Sequence, residues 1–350
     1  MNILTKGVCR LREVPIEKAV GMVLAHDLTK IVPGEFKGSL FKKGHVIKKQ
    51  DLPELLNIGK RHIYILELKQ GQLHEDDAAL RLAATLCGQG ITVSEPTEGR
   101  VNLSATADGV FRVKKDVLFR INSLDDLAVA TIHSDLAVAK GAQVAGVRAV
   151  PLVVDEDKIR QAEALAQFSG PVMEVAAYRK LAVGVVTTGS EVYHQRIADR
   201  FTPVVREKIA RFPSVLLGQR VANDDKEMIQ AAILELVALG SQIIIVTGGM
   251  SVDPDDRTPA AIRATGAEIV TYGTPVLPGA MLMLAYLGHV PVLGLPGCAM
   301  YNSTTVFDLI LPRLFTGERL KKAHFAEMAV GGLCANCEPC RYPHCHFGKH

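Results

Sequence analysis

The stretch Leu181-Ala-Val-Gly-Val-Val-Thr-Thr-Gly-Ser-Glu191 joins an apolar run of strand length to a glycine turn that carries hydroxyls and an acid. A second stretch, Gln242-Ile-Ile-Ile-Val-Thr-Gly-Gly-Met-Ser251, repeats the pattern with β-branched residues. Strands that are apolar throughout belong in a parallel sheet covered on both faces. The sequence between them completes the alternation. Pro203 to Phe212 predicts a helix with Pro203 in its first turn. Val215 to Val221 predicts a strand, and Asp224-Asp225 head a helix whose apolar side is Met228, Ile229, Ile233, Leu236 and Val237. Regular strand–helix alternation implies right-handed crossovers and an α/β fold, a doubly wound, mostly parallel sheet with helices on both faces.

Ligands of such sheets sit beyond the carboxyl ends of the strands. Those ends carry Thr-Thr-Gly-Ser-Glu (187–191), Thr-Gly-Gly-Met-Ser (247–251) and Leu-Pro-Gly-Cys (295–298). Glycines allow close backbone approach, and the helix N-termini that follow offer unpaired N–H groups to an anion. Thr188, Ser190 and Ser251 add hydroxyl donors. One such loop is most simply a tight turn, but three at three strand ends point to a phosphorylated ligand. Carboxylates share the loops: Glu191, Asp253, Asp255 and Asp256. Acids beside a phosphate cradle repel the ligand unless a divalent cation stands between them. That points to Mg²⁺, or to carboxylates that bond donor groups on a ligand ring. Helix capping ahead of Thr258-Pro259 is the alternative for one of Asp255 and Asp256.

Toward the N-terminus the pattern is less regular, and smaller α+β units are expected. In residues 10–66, Asp51-Leu-Pro-Glu54 predicts a helix start with Asp51 as cap and Glu54 completing a capping box. Gly59 would stop that helix, and a strand follows over 62–66. The basic stretch Lys37, Lys42, Lys43, Lys48 and Lys49 reads as a solvated strand edge, with anion attraction as the alternative. In residues 74–176, Glu75, Asp76 and Asp77 open a helix that runs toward Gly88. Strands are expected at 91–93, 110–113 and 147–154. Ser123 to Asp126 predicts the start of a helix through Leu127, Val129 and Ile132, and Asp155 that of another ending near Gly170-Pro171, a candidate linker. His133 reads as a structural histidine. The expected organisation is 1–73, 74–176, 177–320 and a tail over 321–350.

Of seven cysteines, Cys9, Cys87 and Cys298 are scattered, while Cys334, Cys337, Cys340 and Cys345 crowd the tail. Four thiolates suit tetrahedral Zn²⁺, and their spacing is close to that of an Fe–S run. His344, His346 and His350 are substitute ligands. The formal charge of +3 and an aromatic content of 5% argue against nucleic acid. No apolar run approaches the roughly 18 residues of a membrane span, and the first residues lack a signal-peptide core. The expectation is a cytoplasmic protein with neither nucleic-acid nor membrane partners.

Five separated motifs then agree in order with a known family: Thr-Thr-Gly-Ser-Glu-Val (187–192), Asp224-Asp225, Thr-Gly-Gly-Met-Ser-Val-Asp-Pro-Asp-Asp (247–256), Leu-Pro-Gly (277–279) and Gly-Leu-Pro-Gly (294–297). The segment 181–317 resembles the molybdopterin-binding domains of molybdenum-cofactor biosynthesis. The resemblance implies molybdopterin or its adenylylated form as ligand. It puts Thr188, Gly189, Ser190, Asp224, Gly248, Gly249, Ser251, Pro278, Gly279, Pro296 and Gly297 at ligand positions, with Glu191 and Asp256 as the candidate catalytic acids. Residues 10–66 are similar to the start of the molybdenumtransferases at 19–27 and 43–47. Three departures stand out. No Asp lies in 36–40, where the transferases carry a Ser-Ala-Met-Asp-Gly-Tyr-Ala-like segment. Their Lys-Pro-Gly-Lys-Pro loop is Leu277-Pro-Gly-Ala-Met281 here, without lysine, and their last small β domain has no counterpart.

The resemblance therefore implies a protein of molybdenum or tungsten cofactor assembly, a homo-oligomer, serving a molybdo- or tungsto-enzyme recipient. It either inserts metal with release of AMP or carries molybdopterin without turnover. Asp-Pro-Asp-Asp-Arg-Thr (253–258) is also similar to competence-damage-inducible proteins, which leaves a nucleotide pyrophosphatase as a further reading.

Overall fold

The computed structural model describes residues 12–32, 36–65, 68–97, 99–251 and 253–349. Cys9, Val252, the end of the strand expected over 62–66, and His350 lie outside the described residues, as does the side chain of Lys37. The chain forms two compact units. The first takes residues up to Thr106 together with Val113–Ile132 and Lys140–Glu174; the second takes Ala107–Arg112, His133–Ala139 and Val175–His350.

In the first unit Arg12–Pro15 pairs antiparallel with His62–Ile65. A small core of Val14, Ile16, Leu24, Ile47, Leu55 and Ile63 lies beside this pair. The helix Leu52–Asn57 forms as expected, but Asp51 does not cap it. Its carboxylate turns back to accept from the Lys48 N–H at 2.8 Å and contacts His45 Nε2 at 2.7 Å, so the capping box expected over 51–54 is absent. Further along, Ile91–Val93, Arg100–Ala105, Gln143–Ala149 and Leu127–Thr131 make a four-stranded antiparallel sheet in that order. The helices Glu75–Leu86 and Glu156–Ser169 pack together in the same unit.

Two further expectations fail in this unit. The helix expected from Ser123 is the strand Leu127–Thr131, in which Leu127 and Val129 are buried and Ala128 and Ala130 exposed. That alternation has the period of a strand, and the helix instead precedes it at Lys115–Asn122. Asn122 at its end donates to the Val129 carbonyl at 2.9 Å and accepts from the Val129 N–H at 2.8 Å, which caps an edge strand. The strand expected over 147–154 stops at Ala149, and Val153–Asp155 pairs instead with Gln72–His74. Pro151 lies between, where a ladder needs an N–H that proline lacks.

The second unit holds a six-stranded sheet. Its strands are β1 (Leu181–Thr188), β2 (Ser214–Ala222), β3 (Ile243–Thr247), β4 (Glu268–Tyr272), β5 (Met283–Leu287) and β6 (Val290–Leu295). The order across the sheet is β2-β1-β3-β6-β5-β4. β1 runs parallel to β2 and β3, and β3 to β6, while β5 and β4 complete the sheet antiparallel. The helices are α1 (Ser190–Tyr193), α2 (Phe201–Ile209), α3 (Lys226–Ala238), α4 (Thr258–Ala264), α5 (Val306–Phe315) and α6 (Lys322–Glu327).

Successive strand residues point to opposite faces, and here both faces are dry. Val183, Val185, Ile243 and Ile245 join Val205 and Ile209 of α2 and Phe307, Ile310 and Phe315 of α5 in one cluster. Val186, Ile244 and Val246 join Ile229, Ile233 and Leu236 of α3 and Ile262 of α4 in the other. Each such side chain contributes about 1.5–3 kcal/mol on burial. This is the doubly wound, mostly parallel sheet that the apolar runs predict. The residues after Leu320 pack on it as well: Phe325, Met328 and Phe347 are buried in the first cluster.

Candidate functional site

Three loops gather at the carboxyl ends of β1, β3 and β6, and backbone-to-carboxylate bonds lock two of them. Asp224, just past β2, accepts the Ser190 N–H at 2.7 Å and so ties the first loop to the neighbouring strand. Asp256 accepts the Ser251 N–H at 2.8 Å and closes the second loop on itself. Asp253 accepts the Asp255 N–H at 3.0 Å within the same turn. Tyr272, from the antiparallel edge strand β4, donates to the Met250 carbonyl at 3.1 Å. Burial and the neighbouring Asp256 push the Tyr272 phenol above its ordinary range, so it stays a donor.

Thr188 is buried at the junction of the loops. Its O–H goes to the Thr247 carbonyl at 3.0 Å, and Thr258 Oγ1 lies 3.3 Å away. A hydroxyl has one proton to give, so Thr188 sets the loop spacing and has no donor left for a ligand. Ser190 and Ser251 keep free hydroxyls: only their backbone N–H groups are engaged by the acids among the described residues. Glu191 is exposed in the one-turn α1.

The loop glycines divide by what the fold needs. A Cβ on Gly248 would lie 2.7 Å from the Thr188 carbonyl oxygen, and one on Gly249 would lie 2.9 Å from Thr258 Oγ1. Gly279 has φ +117°, and a Cβ there would meet Val306 Cγ1 at 2.5 Å. Pro278 beside it accepts the Val306 N–H at 3.2 Å at the start of α5. Gly297 differs. It follows Pro296 just past β6, is exposed, and a Cβ on it would meet nothing within 4 Å. Packing places no steric demand for a glycine there.

Asp199 and Gln219 form a part of this region that sequence reading missed. The Asp199 carboxylate accepts the Phe201 N–H at 2.8 Å and the Thr202 N–H at 3.1 Å, so it caps α2. Gln219 donates to Asp199 Oδ2 at 2.7 Å and to Thr187 Oγ1 at 3.1 Å. Burial would raise the Asp199 pKa, but hydrogen bonds from Thr202, Phe201 and Gln219 outweigh it and hold the acid below its usual range. The only sequence signal was an acid two residues before an amphipathic run. Asn223, next to Asp224, keeps a buried amide oxygen with no partner among the described residues.

Of the loop acids, Asp253 and Asp256 accept loop N–H groups, and among the described residues no group of three or more His, Cys, Asp or Glu side chains is placed to hold a metal ion. The same holds for the tail. Cys334 and Cys345 pack against the core cluster, Cys337 is half-buried, and Cys340 is exposed with Sγ 3.5 Å from Thr304 Oγ1. That hydrogen bond and one from the Tyr342 backbone hold the Cys340 thiol below its ordinary range. The tail is docked on the Leu-Pro-Gly motif of 277–279 rather than hanging free. Leu277 donates to the Gly332 carbonyl and accepts from the Cys334 N–H, both at 2.8 Å.

The geometry defines a doubly wound α/β domain with three glycine loops gathered beyond the carboxyl ends of its parallel strands. Residues 184–316 match the family model described as the probable molybdopterin binding domain, and this segment belongs to that domain family. Residues 13–67 match a family described as a domain of unknown function. A molybdenum cofactor biosynthesis bifunctional protein of Synechococcus elongatus is 34% identical over 83 residues, 24% of this chain and 26% of that protein. A molybdopterin molybdenumtransferase of Haemophilus influenzae is 25% identical over 175 residues, 46% of this chain and 42% of that protein. The chain thus spans 26% to 42% of the length of these two relatives. Among solved structures, the molybdopterin biosynthesis enzyme MoaB from Thermus thermophilus is 23% identical, covers 40% of this chain and 99% of its own, and has a TM-score of 0.32. Among the described residues no helix is long and apolar enough to cross a membrane.

Proposed function

We propose that the loops beyond β1, β3 and β6 bind molybdopterin or its adenylylated form during molybdenum or tungsten cofactor assembly. The observation that carries this reading is the family match over 184–316, whose span holds Glu191, Asp224, Asp256, Gly297 and both free serine hydroxyls. Ser190 and Ser251 donate to the phosphate, and Gly297 lets the backbone approach it. Asp224 and Asp256 act as positioning residues through the loop N–H groups they hold. Glu191, exposed at the first loop, is the acid free to meet the ligand.

Turnover, with metal inserted and AMP released, competes with a carrier that binds without reaction. Two observations favour the carrier. Asp256 is occupied by the Ser251 N–H. The loop 277–281 has no lysine to give a charge-assisted phosphate contact. The deciding measurement is AMP release from adenylylated molybdopterin under anaerobic conditions, with and without molybdate. Tight binding without release is expected; molybdate-dependent release would make the protein a transferase, and absence of binding would remove the proposal. Asp256→Asn separates the roles, since the amide oxygen still accepts from Ser251. A loss seen in that variant reports the charge.

A further inference from the structure

The amino ends of the same strands border a second cleft, at the opposite edge of the sheet from the glycine loops. It encloses about 380 Å³, and its floor is apolar, with Leu181 at the start of β1, Ile243 at the start of β3 and Val290 at the start of β6. That volume is within the range of small-molecule sites. Its rim is cationic.

Arg179 lines the cleft, and its guanidinium has no hydrogen bond or ion pair with any described residue. The group lies over Gly317, where a Cβ would come within 2.4 Å of Arg179 Cζ. Gly317 therefore leaves the space that the guanidinium takes. His289 also lines the cleft, and its ring has no partner among the described residues. Arg319 sits 4.1 Å from the centroid of the Tyr286 ring and is held by Glu268 at 2.6 Å and by the Gly288 carbonyl at 3.1 Å. Glu318 is the only carboxylate in the lining among the described residues, and its oxygens are consumed by Arg313 at 2.5 and 3.0 Å and by Arg112 at 2.7 Å. Glu318 is thus neutralised by two guanidinium groups, of which Arg313 also faces Asp135 at 3.9 Å.

A single exposed arginine is ordinarily just solvated. Here a guanidinium and an imidazole, both exposed and without a partner among the described residues, stand with one pinned arginine around an apolar floor, which suits a ligand with one anionic end and one organic end. A guanidinium fork matches phosphate oxygens two at a time. We propose that this cleft binds a small organic phosphate of nucleotide size, with the phosphate on Arg179 and His289 and the organic part on Leu181, Ile243 and Val290. The inference does not depend on what the glycine loops bind.

The test is calorimetric titration of the full chain with AMP, adenosine and inorganic phosphate. It is run in a Gly297→Val background, so that the loop site is obstructed and the cleft is not. AMP is expected to bind, with adenosine at least tenfold weaker. Arg179→Ala should lower AMP affinity at least tenfold, and Arg179→Lys by less, because charge is kept and the fork lost. Saturation-transfer NMR on the same samples checks that AMP protons contact the protein. No AMP binding in this background, equal affinity for AMP and adenosine, or an unchanged affinity in both Arg179→Ala and His289→Ala would each overturn the assignment. Thermal melts of the variants exclude unfolding as the cause of a loss, and Arg179→Gln repeats the measurement should Arg179→Ala fold poorly.

Discussion

Gly279 and Gly297 look alike in the sequence, each following a proline in a Leu-Pro-Gly triplet, yet they answer to different constraints. A Cβ at Gly279 is refused by Val306, and the backbone there is left-handed. Gly279→Ala is expected to cost on the order of 3 kcal/mol through combined strain and overpacking. Gly297 meets nothing. Gly297→Val is expected to change stability by no more than about 0.5 kcal/mol. It should weaken binding of adenylylated molybdopterin at least tenfold, about 1.4 kcal/mol. Urea melts paired with ligand titration read both outcomes, and a large stability loss at Gly297 would return that glycine to a structural role.

Helix starts in this protein use acceptors that a capping pattern does not always reveal. The helix Glu75–Leu86 is capped by His74, whose Nδ1 accepts the Asp76 N–H at 3.1 Å. Nδ1 is then the acceptor, so Nε2 carries the proton that goes to the Ala25 carbonyl at 2.6 Å. Burial lowers the His74 pKa and keeps the ring neutral. The folded pKa is below the unfolded value of about 6.5, so the unfolded chain binds more protons in acid. Stability from His74 is therefore complete above about pH 6.5 and is lost as pH falls through the folded value. Urea melts at pH 7.5 and pH 5 should show a loss in the wild type that shrinks in His74→Asn, a neutral cap. An equal loss in both would assign the acid sensitivity elsewhere. Between α2 and α5, Lys208 and Asp308 form a buried pair at 2.5 Å, and Asp308 also accepts the Thr305 N–H at 2.8 Å. That pair ties the helix after the first loop to the helix that starts against Pro278 and Gly279.

The second unit is completed by residues that the sequence marks as an appendage. Phe325, Met328 and Phe347 lie in the core cluster that also holds Val185 and Ile245. Gly348 donates to the Gly331 carbonyl at 2.9 Å, which closes the cysteine-bearing segment into a loop on that core. Phe347→Ala is expected to cost about 3–5 kcal/mol, and truncation after Leu320 should expose the cluster and lower the melting temperature by more than the single change. Calorimetric scans of the two forms check this. A truncated chain as stable as the full one would make the tail dispensable for folding. Removing the segment also takes away the bonds from Gly332 and Cys334 to Leu277, so ligand affinity at the loops should fall with it.

Apolar runs of strand length, ending in glycine turns and separated by amphipathic helices, carry the α/β architecture and the edge on which the loops gather. Burial on both sheet faces is a property of composition and spacing, and it survives without knowledge of contacts. A short apolar run such as Leu127–Thr131 satisfies either period, and burial on a sheet decides between them. Asp51, Asp224 and Asp256 show the same division among polar groups. Their residue types were legible, but the N–H each one serves depends on where the chain returns in space. Folding also spent the Thr188 hydroxyl, seated the tail on Leu277 and left the Arg179 guanidinium over Gly317 without a partner among the described residues. Those outcomes rest on partners far apart in the chain, which no local pattern encodes.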